Sequence, residues 1–116
     1  MPTVQITLKE TQTGKKKEIL ISVDPERLDL TDELEEVDIE WALDNTNAAG
    51  WTFATQGIDI KGHFGKFSDK GGSGGGKKHG WKRKNRELNK THKYSINLQN
   101  ATAGTTLTWD PFIVNN

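Results

Sequence analysis

VDIEWAL, residues 37–43, alternates without a break: Val37, Ile39, Trp41 and Leu43 fall on one side, and Asp38, Glu40 and then Asp44 on the other. Successive side chains of a strand point to opposite faces, so this stretch reads as a half-buried β-strand with an acidic outer face. The same period runs on either side of it. TVQITL (3–8) alternates Val4, Ile6 and Leu8; TQTGKKK supplies a turn; EILISV (18–23) returns, so 3–23 reads as a hairpin that Pro25 ends. Arg27 to Leu30 reads as a short edge piece. WTFAT (51–55) is broken by Gly57 before IDI (58–60), KYSINL (93–98) alternates Tyr94, Ile96 and Leu98, NATAG turns the chain, TTLTW (105–109) returns, and DP leads into FIVN (112–115).

No long 3.6-residue stripe appears. The acidic run 26–36, with Leu28, Leu30, Leu34 and Thr31 as an N-cap before DELEE, has room for one helical turn. Short strands at this spacing predict an all-β fold: a two-sheet antiparallel β-sandwich of about seven to nine strands, Greek-key type, in a single domain over 1–116. The expected core is Val4, Ile6, Ile19, Ile21, Val37, Ile39, Trp41, Phe53, Ile58, Ile60, Tyr94, Ile96, Leu107 and Trp109, with Trp51 also inside and Trp81 exposed or half-buried.

The bulk numbers narrow the class further. The 116 residues contain no cysteine, which excludes disulfides, thiolate metal sites and a cysteine nucleophile. MPTVQITLKE lacks a basic segment followed by an apolar run, and no apolar stretch approaches the roughly 20 residues of a membrane span. The expectation is a cytoplasmic protein that engages no membrane. Net charge is zero, yet residues 24–44 hold ten acids against Arg27 alone, and residues 61–93 hold eleven Lys and Arg against Asp69 and Glu87. Two oppositely charged segments can pair within one fold or between molecules, so charge-driven self-association is an expectation.

GGSGGGKK (71–78) matches the spacing of a phosphate-binding P-loop up to its last letter, where Lys78 replaces the Mg²⁺-binding hydroxyl. Neither a buried strand before it nor a helix after it is present, because KGHFGKFSDK precedes it and Gly80 interrupts KHGWKRKN after it. Seven glycines in 65–80 carry a high ordering cost, which predicts a flexible Gly/Lys-rich loop at about 65–86.

ILISVDPERLDL followed by VDIEWALDN resembles the opening of a cupredoxin-like domain, and the tail YSINLQNATAGTTLTWDPFIVNN resembles the closing strand pair of such sandwiches. The DP-F-I-V-N ending is similar to the tails of small bacterial proteins of unknown role. The copper of that family is held by two His, one Cys and usually a Met. Here Cys is absent, Met1 is the single methionine, and 99–104 has no His, so the resemblance implies the fold and not electron transfer. Thr91-His92-Lys93-Tyr94 suits equally the tyrosine corner of an immunoglobulin-like sandwich.

For chemistry, His63, His79 and His92 show no ligand spacing and read as solvated. Asp38 and Glu40 stand about 6.5–7 Å apart along one strand face, a separation that inverting glycosidases use, but two acids on an outer face read first as solvated. No catalytic residue, cofactor or metal site is expected. KKHGWKRKNRELNKTHK (77–93) is the strongest functional feature, with eight Lys or Arg, one acid and Trp81 between them. The expectation is a non-enzymatic interaction module whose partner, an unidentified protein or anionic polymer, meets loop 65–86. The alternative is anionic-polymer or weak nucleic-acid binding through 77–93, with Lys77, Lys78, Trp81, Lys82, Arg83, Lys84 and Arg86 as the binding residues. Counterion release and stacking on Trp81 would supply the affinity. A sugar platform built from Trp81 with Trp51 or Phe67 is a further use of the aromatic rings.

Overall fold

Period-two sequence becomes strand throughout. The computed structural model describes residues 2–116, and among them no helix occurs. Ten strands form: β1 (Thr3–Thr13), β2 (Lys16–Asp24), β3 (Arg27–Asp29), β4 (Val37–Asn47), β5 (Trp51–Ile60), β6 (Phe67–Ser73), β7 (Lys78–Arg83), β8 (Thr91–Asn100), β9 (Thr105–Trp109) and β10 (Phe112–Val114). One sheet runs β2-β1-β4-β7-β6, the other β3-β10-β8-β5 with β9 also on β8. The two pack face to face as an all-β sandwich.

The count exceeds the expected seven to nine; the strand pairs are mostly antiparallel, as expected, but each sheet is mixed. β1 lies parallel to β4, and β3 parallel to β10. The extra strands come from the glycine-rich segment, which pairs as β6 and β7, while WTFAT and IDI join into the one strand β5. As expected, the DP step at Pro111 divides TTLTW from FIVN; β9 and β10 nevertheless keep one register on β8, with Trp109 opposite Ile96 and Phe112 opposite Lys93. Proline has no N–H for the ladder, yet its carbonyl still accepts from the Tyr94 amide at 3.0 Å.

The core lies between the sheets. Val4, Ile6 and Leu8 of β1 and Ile39, Trp41 and Leu43 of β4 meet Phe53, Ile58 and Ile60 of β5 and Tyr94, Ile96 and Leu98 of β8. Trp41 Nε1 donates to the Tyr94 hydroxyl at 3.1 Å, with the rings edge to face at 5.4 Å. That hydroxyl therefore meets an indole and not the upstream backbone group that a tyrosine corner uses. Burial raises the Tyr94 pKa beyond the ordinary phenol range, against a smaller lowering by the Trp41 hydrogen bond.

Several positions depart from the expected core. Ile19, Ile21 and Leu107 only pack against its margin. Val37 is half-buried. Trp109, on the short edge strand β9, is 41% exposed and donates its indole N–H to Glu26 at 2.8 Å. Leu28, Leu30, Phe67, Trp81 and Ile113 join the core instead. The acidic run forms no helical turn; residues 31–36 are turns and bends.

Candidate functional site

The glycine-rich basic segment, expected as a loop over 65–86, is the hairpin β6–β7. Its tip explains the glycines. Gly74, Gly75 and Gly76 have φ of 63°, 68° and 85°, a run of left-handed residues that only glycine adopts without strain. The tip is tied to the sandwich by two backbone bonds of 2.8 Å, from the Phe53 amide to the Gly76 carbonyl and from the Leu43 amide to the Lys77 carbonyl. A bulge at Lys70 shifts the β6–β7 register between Asp69 and Gly71. Asp69 Oδ1 there accepts from both the Gly71 amide and His79 Nε2, each at 2.8 Å.

β7 alternates as a strand should. His79, Trp81 and Arg83 point between the sheets, and Lys78, Gly80 and Lys82 point outward. Trp81 is 3% exposed and donates to the Ile58 carbonyl at 3.0 Å, so it is a core residue and not the exposed stacking ring expected of it. Arg83 is 0% exposed. Its guanidinium donates to the carbonyls of Glu35 (2.8 Å), Leu30 (3.3 Å) and Leu34 and to Asn115 Oδ1 (3.2 Å). Burial lowers its pKa first, and nearby Arg86 adds to this, while Glu33 and Glu35 oppose them.

The seven basic-segment residues therefore do not share one surface. Trp81 and Arg83 are inside. Lys77 is exposed at the hairpin tip, Lys78 is exposed and Lys82 half-buried on the outer face, and Lys84 and Arg86 are exposed beyond the far end of β7. Arg86 donates to the Glu33 carbonyl.

His79 and His92, expected in solvent, are buried. His92 Nδ1 donates to the Lys61 carbonyl and Nε2 to Glu87 Oε1, both at 2.6 Å. Glu87 also accepts from Asn115 Nδ2 at 2.8 Å, so the network runs on through Asn115 to Arg83. Burial alone would raise the Glu87 pKa, but the hydrogen bonds from Asn115 and His92 and the nearby His92 charge outweigh it and hold the carboxyl below its usual value. The network joins the two sheets. Among the described residues, no group of three or more His, Asp or Glu gathers as a metal site would need.

On the outer face, the acidic and basic segments meet. β4 and β7 pair antiparallel with Asp38 opposite Lys82, Glu40 opposite Gly80 and Ala42 opposite Lys78. Lys70 reaches Asp38 at 3.2 Å and Lys78 reaches Glu40 at 3.8 Å. Gly71 and Gly80, paired with each other, leave this surface without side chains, and with the Gly72 backbone beside them they open a trough of about 200 Å³ walled by Asp38, Glu40, Lys70, Ser73 and Lys78. Asp38 Oδ1 is enclosed at its edge without a hydrogen bond, with the Lys70 ammonium as its charge contact. The trough offers two carboxylates, two ammonium groups and a hydroxyl around a bare backbone floor. The sequence singles out Lys78 and, separately, the Asp38–Glu40 pair, but it does not mark Lys70 or put the two halves on one surface, since only the β4–β7–β6 register brings them together. No protein-family model matches the sequence, and no curated protein matches it.

Proposed function

We propose that this protein is a non-enzymatic binding module and that its working surface is the trough on the outer face of β4, β7 and β6. Its ligand is an extended polar peptide segment carrying both signs of charge. The observation that carries this is the bare glycine floor between paired acids and bases: a backbone can lie close to Gly71, Gly72 and Gly80 while its side chains exchange into the two exposed ion pairs. Exposed pairs are worth about 0–1 kcal/mol each, so opening them for a ligand costs little. A cupredoxin-like or immunoglobulin-like scaffold without copper ligands fits this use, because binding sites sit on rigid frameworks.

The nucleic-acid reading has less support. Trp81 and Arg83 are inside, Lys78 already faces Glu40, and Lys82 is half-buried opposite Asp38, which leaves Lys77 at the hairpin tip apart from Lys84 and Arg86 as the exposed cations. Selection from a randomised octapeptide library tests the proposal. Recovered peptides should alternate in charge, shift the amide resonances of Gly71, Gly72 and Gly80, and bind at least about tenfold more weakly to Gly80→Val. A Cβ at Gly80 meets its neighbours no closer than 3.6 Å, so the first carbon of the new side chain has room, and an unchanged circular dichroism spectrum confirms the fold of the variant. Failure to select any peptide, together with salt-sensitive binding of random RNA that Lys77→Ala, Lys84→Ala and Arg86→Ala abolish, would replace this reading with the nucleic-acid one.

A further inference from the structure

An open edge of the sandwich nine residues long is β2, which pairs with β1 on one side and ends its sheet on the other. An unpaired edge exposes a row of N–H and C=O groups that templates another strand. The ladder identifies these groups. The Pro2 carbonyl accepts from the Glu40 amide, so even-numbered residues of β1 turn their backbone groups to β4 and odd-numbered ones to β2. Lys9 is opposite Leu20, so the N–H and C=O of Leu20 engage β1. Those of Lys17, Ile19, Ile21 and Val23 point outward. The side chains complete the picture: Leu20, on the outer face at the centre of the strand, is 54% exposed, and Ile19, Ile21 and Val23 are only partly covered on the inner face.

We propose that β2 is a self-pairing edge, and that two copies of this chain join antiparallel about a two-fold axis at Leu20. In this register Leu20 meets Leu20 of the second copy as a non-hydrogen-bonded pair, where side chains approach closest. Ile19 meets Ile21 and Lys17 meets Val23 as hydrogen-bonded pairs, so every outward backbone group from Lys17 to Val23 is used. At each end Lys16 faces Asp24, an opposite-charge pair that stabilises a sheet.

Neighbouring registers are worse. Sliding by two residues in one direction sets Glu18 against Asp24, and in the other sets Glu18 against Leu20. Odd slides fail because outward groups would face residues whose groups turn inward. The two five-stranded sheets then become one continuous ten-stranded sheet, and the exposed leucine is covered. The lysines at 15–17, which on a solitary edge would discourage pairing, here lie at the end of the ladder where Asp24 of the second copy stands. The trough on β4, β7 and β6 shares no residue with this edge, so either proposal stands without the other.

Sedimentation of the full chain at high micromolar concentration should show a dimer that Leu20→Lys weakens by at least about tenfold, because two ammonium groups would then oppose each other at the axis. The chain has no cysteine, which makes cross-linking a clean register test. Non-hydrogen-bonded partners have Cα atoms about 4.5 Å apart, within disulfide range. Leu20→Cys should oxidise rapidly to a covalent dimer, while Ser22→Cys, which faces Glu18 across the axis, should not. Both sites are exposed, and an unchanged circular dichroism spectrum confirms the fold of each variant. A monomer at all concentrations overturns the proposal. So does a dimer indifferent to Leu20→Lys, or Leu20→Cys oxidising no faster than Ser22→Cys.

Discussion

Arg83 is a cation without exposed surface, and none of its four hydrogen-bond partners is a carboxylate. Three are backbone carbonyls of the 30–35 segment and one is the side-chain oxygen of Asn115. A planar fork of donors suits such divergent acceptors in a way an ammonium does not. The side chain thereby organises an acidic segment in which Leu30 is the only buried residue. Arg83→Ala would empty that space and leave buried carbonyls without donors, so a loss of about 3–5 kcal/mol is expected by analogy with broken buried charge networks. Arg83→Lys should recover only a small part. Arg86→Ala, at an exposed neighbour, should stay within about 0.5 kcal/mol of the parent. Urea unfolding of the three variants checks the ranking, and equal midpoints for the Arg83 and Arg86 variants would show that the guanidinium is dispensable.

At the level of elements, alternation was legible wherever the inward residues were apolar. β1, β4, β5 and β8 follow their sequence pattern because Val, Ile, Leu and Trp mark the buried side. β7 was not legible for the opposite reason. In KHGWKR the inward positions are His79, Trp81 and Arg83, two of which count as polar until the acceptors that satisfy them are known. The acidic run misled in a related way. A helical turn needs the carbonyls of residues 30–35 for local amides, but those of Leu34 and Glu35 are turned to Arg83, and that of Leu30 is shared between Arg83 and the Glu33 amide.

The hairpin tip makes the element's order testable. Gly75 and Gly76 both have positive φ, but a Cβ on Gly75 meets nothing within 4 Å, while one on Gly76 would lie 2.9 Å from Thr52 Cβ. Gly75→Ala should therefore cost about 1–2 kcal/mol, the left-handed penalty alone, and Gly76→Ala clearly more. Thermal melts of the pair measure the difference. Amide exchange gives a second reading: the Phe53 and Leu43 amides, bonded to the tip, should be slow in the parent and faster in Gly76→Ala. Equal costs for the two alanines would mean that the tip does not rest on β5.

Over the whole molecule, the two charged segments that look separate in the chain meet on the outer face of β4, β7 and β6, where Lys70 pairs with Asp38 and Lys78 with Glu40. The sequence made the imbalance visible, but only the register of these strands shows where the two segments touch. Closure of the second sheet depends on equally distant parts. Among the described residues β3 has β10 as its only strand partner, and the bond runs between segments more than 80 residues apart, with Phe112 opposite Arg27. Ile113 is wholly buried beneath this pair, and Asn115, also wholly buried, is the link between Arg83 and Glu87. The last five residues thus contain β10, the strand that seats the edge strand β3, a core side chain, and the bridge between the buried Arg83 guanidinium and the half-buried Glu87. Removing them should do far more than fray an end: a chain stopped at Pro111 would expose β3, Leu28 and the Arg83 guanidinium together. Such a chain should lose the near-ultraviolet signal of its buried tryptophans and its cooperative melt. An inserted glycine after Gly14, at a turn with open space around it, adds little loop-closure entropy and should leave both intact. If the shortened chain instead melted sharply, with only a modest drop in midpoint, the β3–β10 pairing and the Arg83 network would be accessory to the fold and not part of its closure.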